Sequence, residues 1–579
     1  ICDQGGECDL QEQALHYGKA ENRFDECKRS VDGKNFGPLV KTFMNRCIHC
    51  TRCVRFIEDI AGTNELGAVN RGEGMEITTS IEGVISSELS GNIIDLCPVG
   101  ALTSNPFAYK ARSWELKNTD AIDIFDALGS NIVLQAKGRE VMRVLPRVNE
   151  AINEEWISDK VRFCYDGLKY NRLDRHYRMS NGNLTECSEV EAFNILENRL
   201  NKADKSKILA KFGKLTDLET TVSAMSFMNA IGAKNASESR VGDVLLTHED
   251  KGFYKLNSTI AGIEEADYIL IIGANTKVDA PILNARIRKA VTKRGAKAAV
   301  IGQEIDLNFP YKHLSANPWS IKQFNNKEFD FAKDFAKAKR PLVLVGISAF
   351  TETEAEAFKY YLRQMIAKFN LLRDEWNGFN VVPLYASTVG GLELGATVEN
   401  FAQKINNAEV LFLFGADDID ISKIPSNTFV VYVGHHGDNA VKRADLIIPC
   451  AAFSEKNSTF VNAEGRVQRS QQAVNAPTTL AKVEWQILAD FASHIGVEYN
   501  LNSYDALYSE LLKRLPIAKN LGVPHPDKVK LDKTKLKDFS VDNFEYPIDN
   551  FYMTDSISRS SKTMQECTKR LLNVDKNAA

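Results

Sequence analysis

The chain has 579 residues, more than one hydrophobic core serves, so two or more domains are expected. Hydrophobic residues make up 44% and charged residues 26%, a globular balance rather than a disordered one. Lys and Arg total 72 against 76 Asp and Glu, a net charge of −4 that lacks the basic surplus of a nucleic-acid binder. The apolar runs are of strand length, well short of the roughly 18–20 residues of a bilayer span, so any membrane association has to pass through partners.

In chain order, residues 1 to 115 form a cysteine-rich unit of short helical patterns and glycine turns. Residues 116–175 read as short strands, with Asn131–Leu134 and Val141–Leu145 flanking a hairpin turn at Lys137-Gly138. Between 176 and 515, five apolar runs each end in glycine: Tyr268–Gly273, Ala298–Gly302, Leu342–Gly346, Val410–Gly415 and Phe429–Gly434. Continuous apolar runs suit strands buried on both faces, and helical periods lie between them, as in Glu354–Phe369 and Val398–Ile405. The expected fold is therefore α/β, a small cysteine-rich α+β unit followed by a large doubly wound region. Residues 516–579 read as a solvated connector, Pro516–Lys537, then an aromatic patch, Phe544–Tyr552, and a helical tail.

Seven of the 11 cysteines fall within the first 97 residues, a clustering that points to metal in a reducing compartment rather than to a disulfide scaffold. The strongest motif is Cys47-Ile-His-Cys50-Thr-Arg-Cys53, with 43 residues between Cys53 and a Cys97-Pro98 pair. Three thiolates at this spacing wrap one face of a [4Fe–4S] cubane, and the remote Cys-Pro supplies the fourth corner. In two-cluster ferredoxins the Cys-Pro follows the third Cys by four residues. Ile57 stands there instead, so Cys97 is the expected ligand. Zinc is the competing metal, although it more often pairs two separated two-Cys knuckles. Arg46, Arg52 and Arg55 flank the sulfurs and either raise the potential of a cluster or serve solubility and packing. His49 reads as a neighbour of the site rather than a ligand. Cys2 and Cys8 bracket Gly5-Gly6, which permits a tight loop; the pair is either part of a metal site completed elsewhere or a bare thiol pair. Cys27, Cys164, Cys187, Cys450 and Cys567 have no partners at ligand spacing and are expected to be buried structural residues.

Four stretches resemble the family of 75-kDa iron–sulfur subunits of respiratory complex I (NADH:ubiquinone oxidoreductase), mitochondrial type. They are Ile1-Cys-Asp-Gln-Gly-Gly-Glu-Cys-Asp-Leu-Gln11, Glu88–Thr103, Asn153–Lys160 and Phe551–Arg559. The resemblance implies that Cys47, Cys50, Cys53 and Cys97 hold one [4Fe–4S] cluster. It also implies that Cys2 and Cys8 are the last two ligands of a second, in a His-x3-Cys-x2-Cys-x5-Cys pattern whose His and first Cys precede residue 1. A [2Fe–2S] domain is expected earlier still. The implied function is electron relay from a flavin-bearing subunit toward quinone, through a downstream iron–sulfur subunit, with no catalytic acid, base or nucleophile in this chain. The implied location is the matrix face of the mitochondrial inner membrane, or the cytoplasmic face of a bacterial one. Residue 1 is Ile and no targeting segment is visible.

The α/β region resembles the molybdopterin oxidoreductases, through Glu455-Lys-Asn-Ser-Thr-Phe-Val-Asn-Ala-Glu-Gly-Arg466. Where metal-bearing relatives have Cys-Asp-Lys-Gly-Arg-Phe, this chain has Ser158-Asp-Lys-Val-Arg-Phe163, and Leu128-Gly-Ser-Asn131 stands where a Cys-x-x-Cys would be. No molybdopterin and no extra cluster are expected. An active molybdenum oxidoreductase and a purely structural metal scaffold are the two alternative readings.

Overall fold

The computed structural model describes residues 2–79, 83–180, 182–234, 236–242, 244–531 and 536–572. The cysteine-rich unit carries the helix Asp9–Tyr17, two short antiparallel pairings and the helices Arg52–Phe56 and Asn92–Leu96. Next comes a three-stranded antiparallel sheet, Lys117–Ile122, Asn131–Lys137 and Glu140–Pro146, whose last two strands are the expected hairpin.

The single doubly wound region expected from the sequence resolves into two parallel-cored sheets. A five-stranded sheet runs Lys312–Ser315, Lys297–Ile301, Tyr268–Ile272, Pro341–Gly346, Phe379–Val382, all parallel. A seven-stranded sheet runs Ser237–Glu238, Ile208–Phe212, Val410–Phe414, Phe429–Gly434, Leu446–Pro449, and ends on the antiparallel hairpin His176–Ser180 and Asn183–Cys187. The smaller sheet is inserted in sequence between strands of the larger one. Its central strand explains the unbroken apolar run: Ile269 and Ile271 face a core shared with the cysteine-rich unit, while Leu270 and Ile272 face the core of the opposite side.

The helix Ala355–Lys368 lies where the periodicity puts it, but its counterpart after Val398 begins only at Phe401. The Val398 N–H donates to Glu238 instead (2.9 Å), and Asn400 is left-handed (φ 53°), which holds those residues out of the helix. The connector is more than a solvated run. Ala518 and Val529 are buried, and the buried Lys255 pairs with Asp527 (2.6 Å). Residues 532–535 of that expected connector lie outside the described residues. The aromatic patch is buried through Phe544, Phe551 and Tyr552, and Met564, Cys567 and Leu571 of the tail join the core of the cysteine-rich unit.

Candidate metal centre

Cys47 ends a short 3-10 turn, Met44–Arg46, and Cys53 lies in the helix Arg52–Phe56. Between them His49 (φ 55°) and Thr51 (φ 58°) are both left-handed. Two such residues in one five-residue loop are costly for side chains with a Cβ and are held only by a demanding local geometry. Here they wrap the backbone so that Cys47, Cys50 and Cys53 face one small apolar pocket. Cys97, just past the helix Asn92–Leu96, closes the pocket with Pro98, Val99, Ala101 and Leu102.

Among the described residues no three His, Cys, Asp or Glu side chains converge closely enough to hold a single ion. Four thiols spread around one pocket suit the corners of a larger cluster. Burial raises the thiol pKa of Cys47, Cys53 and Cys97; Cys53 is pushed up to about 12, by burial first and then by the sulfurs of Cys97, Cys47 and Cys50. Crowded, desolvated thiolates are unfavourable alone, and a bound polyvalent metal group offsets that cost. The backbone already leans toward anionic sulfur. The His49 N–H donates to Cys47 Sγ (3.4 Å), and the amides of Val99, Leu102 and Ala101 favour the anionic form of Cys97. The donor set therefore fits a [4Fe–4S] group.

Of the three flanking arginines, Arg52 lines the pocket, while Arg46 lies over the Phe43 ring (3.9 Å) and donates to Gly100 O (3.4 Å). Sequence reading missed Arg29, whose charge acts on Cys47 from a distant loop and which is anchored on Met75 O (2.7 Å). It also missed the brace behind Cys97. Asp159 accepts from the Ser90 hydroxyl (2.6 Å) and the Gly91 N–H (2.7 Å), at the start of the helix that ends in Cys97. Arg162 forks onto Asp95 (3.1 and 2.6 Å) in that same helix. The stretch Ser158–Phe163 thus clamps the helix that ends at Cys97.

Cys2 and Cys8 bracket a turn in which Gly6 takes the left-handed conformation (φ 89°). Gly5 does not; a Cβ there would stand 3.0 Å from the Arg112 guanidinium. Glu7 anchors the loop on Arg143 through two hydrogen bonds (2.9 and 2.7 Å). Cys8 is buried with Val99 and Ala101, against which Cys47 and Cys97 also pack. A Cβ on Gly100 would stand 2.1 Å from Cys2 Sγ. The segment Cys97–Leu102 is thus a thin partition with one cysteine group on each side. Cys164, Cys187, Cys450 and Cys567 are buried as expected, but Cys27 is exposed, which corrects the expectation for that residue.

Comparison with known proteins places this architecture. Profiles of the ferredoxin-like domain of NADH-quinone oxidoreductase subunit 3 and of the molybdopterin oxidoreductases match residues 37–103 and 172–494. The profile of the NuoG-like 4Fe-4S domain of NADH-ubiquinone oxidoreductase matches residues 116–166, and that of the C-terminal region of the same kind of subunit matches residues 522–567. A NADH-quinone oxidoreductase subunit of Rickettsia bellii is 42% identical over 98% of this chain and 83% of its own length.

The chain belongs to the NuoG-like family of NADH-quinone oxidoreductase subunits.

Members of the family include the mitochondrial NADH dehydrogenase [ubiquinone] iron-sulfur protein 1 of Solanum tuberosum, 41% identical over 99% of this chain and 77% of its own length. The 75 kDa subunit of Reclinomonas americana is 38% identical over 98% and 85%. Membership fixes the class of the protein: an iron–sulfur subunit of an oxidoreductase complex, with 4Fe-4S ferredoxin-like domains followed by a molybdopterin oxidoreductase-like one. No helix among the described residues is long and apolar enough to cross a membrane.

Proposed function

We propose that this chain relays electrons within an NADH:quinone oxidoreductase, from a flavin-bearing subunit toward a downstream iron–sulfur subunit and quinone. The observation that carries the reading is the partition Cys97–Leu102, which puts a complete four-thiol pocket and the Cys2/Cys8 pair back to back. In this reading Cys47, Cys50, Cys53 and Cys97 hold one [4Fe–4S] cluster. Cys2 and Cys8 hold two corners of a second, completed by the His and Cys that the family pattern puts before residue 1, with a [2Fe–2S] domain earlier still. When bound, such clusters supply reversible one-electron chemistry. The protein's own work is to fix the sulfurs, to shield them with Met44, Ile77, Val99 and Leu102, and to aim backbone amides and Arg52 at them.

The segment matched by the 4Fe-4S profile at 116–166 contains a single cysteine, the buried Cys164, so we assign it a bracing role rather than a cluster. We place the protein in the peripheral arm of its complex, at the matrix face of the mitochondrial inner membrane or its bacterial equivalent. The test is anaerobic quantification of iron, acid-labile sulfide, zinc and molybdenum in the native subunit. About four iron and four sulfide for the complete site, with more from the second group, support the relay. Zinc without sulfide would overturn it.

A further inference from the structure

Doubly wound sheets bind their ligands beyond the carboxyl ends of the strands, at the point where strand order reverses. In the small sheet that point lies between Tyr268–Ile272 and Pro341–Gly346; in the large sheet it lies between Ile208–Phe212 and Val410–Phe414. The C-terminal segment of this chain lies at both.

At the small sheet, the Phe544 ring covers Gly273 so closely that a Cβ there would stand 2.6 Å from it. The Tyr546 hydroxyl would be equally close, 2.6 Å, to a Cβ on Gly302 at the end of the neighbouring strand. Gln303 donates to Phe544 O (3.2 Å), and the ring packs on Phe358 with centroids 5.4 Å apart. At the large sheet, the Arg559 guanidinium donates to Asp417 (2.7 Å), Asp418 (2.8 Å) and Asp438 (2.5 Å). Asp417 and Asp418 follow the strand Val410–Phe414 directly, and Asp438 follows Phe429–Gly434. Lys214, just past Ile208–Phe212, donates to Thr554 O (2.9 Å) and pairs with Asp418 (3.2 Å). The two strand ends meet backbone to backbone there: a Cβ on Gly213 would stand 2.0 Å from Gly415 O.

A cleft of about 1010 Å³ persists beside the same two strands, lined by Lys211, Gly213, Arg240, Phe401 and Asp418. The cations nearest the strand ends are committed. Arg240 is bound to Glu238 and Val398 O, Lys211 to Arg240 O, and Lys214 to the tail; Lys423 at the rim is exposed and pairs loosely with Asp420 (3.8 Å). An anionic dinucleotide would have to break these pairs to gain its own.

We propose that residues 544–559 are an intramolecular stand-in for the organic cofactor of the molybdopterin oxidoreductase fold, an aromatic pair at one switch point and an arginine with three carboxylates at the other. The residues present therefore do not fit a pterin cofactor, because the chain's own tail holds its place. The same tail continues onto the 116–175 segment, where the Ser561 hydroxyl and the Thr563 N–H donate to Asp166, and Met564 and Leu571 join the core shared with the cysteine-rich unit. It straps both crevices to the domain that carries the thiols.

The test uses the native full-length subunit. Oxidative release and fluorescence should find no pterin on the wild type. Native-state hydrogen exchange should then quicken in two separate places, roughly tenfold to a hundredfold. Arg559→Gln should release residues 415–420 and 434–438, and Phe544→Ala should release 273–276 and 302–303, with iron content unchanged in both. Should Arg559→Gln fail to fold, Arg559→Lys carries the same test, because it keeps the charge and loses the fork. Stoichiometric pterin on the wild type, or exchange at these loops unmoved by either substitution, would overturn the proposal.

Discussion

The thiol pocket and the strand-end crevices are two solutions to the same problem, a fold with room for a non-protein group. On either side of Cys50 the chain bends two non-glycine residues left-handed, and burial opposes ionisation of the Cys47, Cys53 and Cys97 thiols. That cost is sensible only where a metal group repays it. At the crevices the chain supplies its own occupants and leaves its charges paired. On the proposed reading, one region is completed by a bound cluster and the other by the chain itself. Sites of the first kind respond to loss of a ligand residue, and sites of the second to loss of a brace.

The sharpest break of this contrast is Cys50→Ala. It removes one of four sulfurs from the pocket, and iron and sulfide analysis should show near-complete loss of that cluster while the two parallel sheets keep their thermal transition. An unchanged iron content would mean that the pocket is not the metal site.

Arg162→Ala is next. The residue is 3% exposed but forks onto the solvent-reached Asp95, and its one buried partner is Asn92 (3.1 Å), so its loss should cost about 1–3 kcal/mol in denaturant unfolding. Because the brace holds the Cys97 helix, cluster occupancy should fall with it; a stable variant with full occupancy would dismiss the brace.

Asp159→Asn sharpens the same point through pH. Burial pushes the Asp159 carboxyl up from 3.8 to about 6, against the pull of Ser90, Gly91 and Arg162. The folded state therefore holds its proton more tightly than the unfolded chain. The stabilising contribution is full below pH 3.8 and is lost as pH rises through about 6. Across that window the wild type should lose on the order of 3 kcal/mol that the Asn variant does not. Parallel stability–pH curves for the two proteins would contradict the burial argument.

The smallest expected effect is that of Arg52→Ala. Arg52 lines the pocket but is half exposed and paired loosely with Asp9 (4.0 Å). Removing the cation should lower the cluster midpoint by on the order of tens of millivolts, less at high salt, in a redox titration. No shift at low salt would assign Arg52 to solubility alone. Cys164→Ala serves as the control, since that thiol is buried far from ligand spacing and iron content should not change.

Much of this was legible in the residues. Cys47, Cys50, Cys53 and Cys97 announce themselves because ligand chemistry admits few residue types at few spacings, and local backbone geometry carries three of the four. The five glycine-ended apolar runs announce parallel strands because a strand buried on both faces cannot alternate. Arg29, Asp159 and Arg162 were not legible, since each acts on a cysteine far from it in sequence and uses a side chain that is usually exposed. The exposure of Cys27 was missed for the reverse reason: nothing in its neighbours says which way it faces.

The sequence by itself therefore determined the four-cysteine pattern, the α/β class and the family, because these rest on residue types and short periodicities. Only the tertiary structure decided that the strands divide between two sheets, that Cys97–Leu102 separates two cysteine groups, and that Phe544, Tyr546 and Arg559 lie at the strand ends of the two sheets. Each of those joins segments tens to hundreds of residues apart, and no local propensity encodes such a meeting. It is settled by which buried faces and unmatched charges find each other when the whole chain packs.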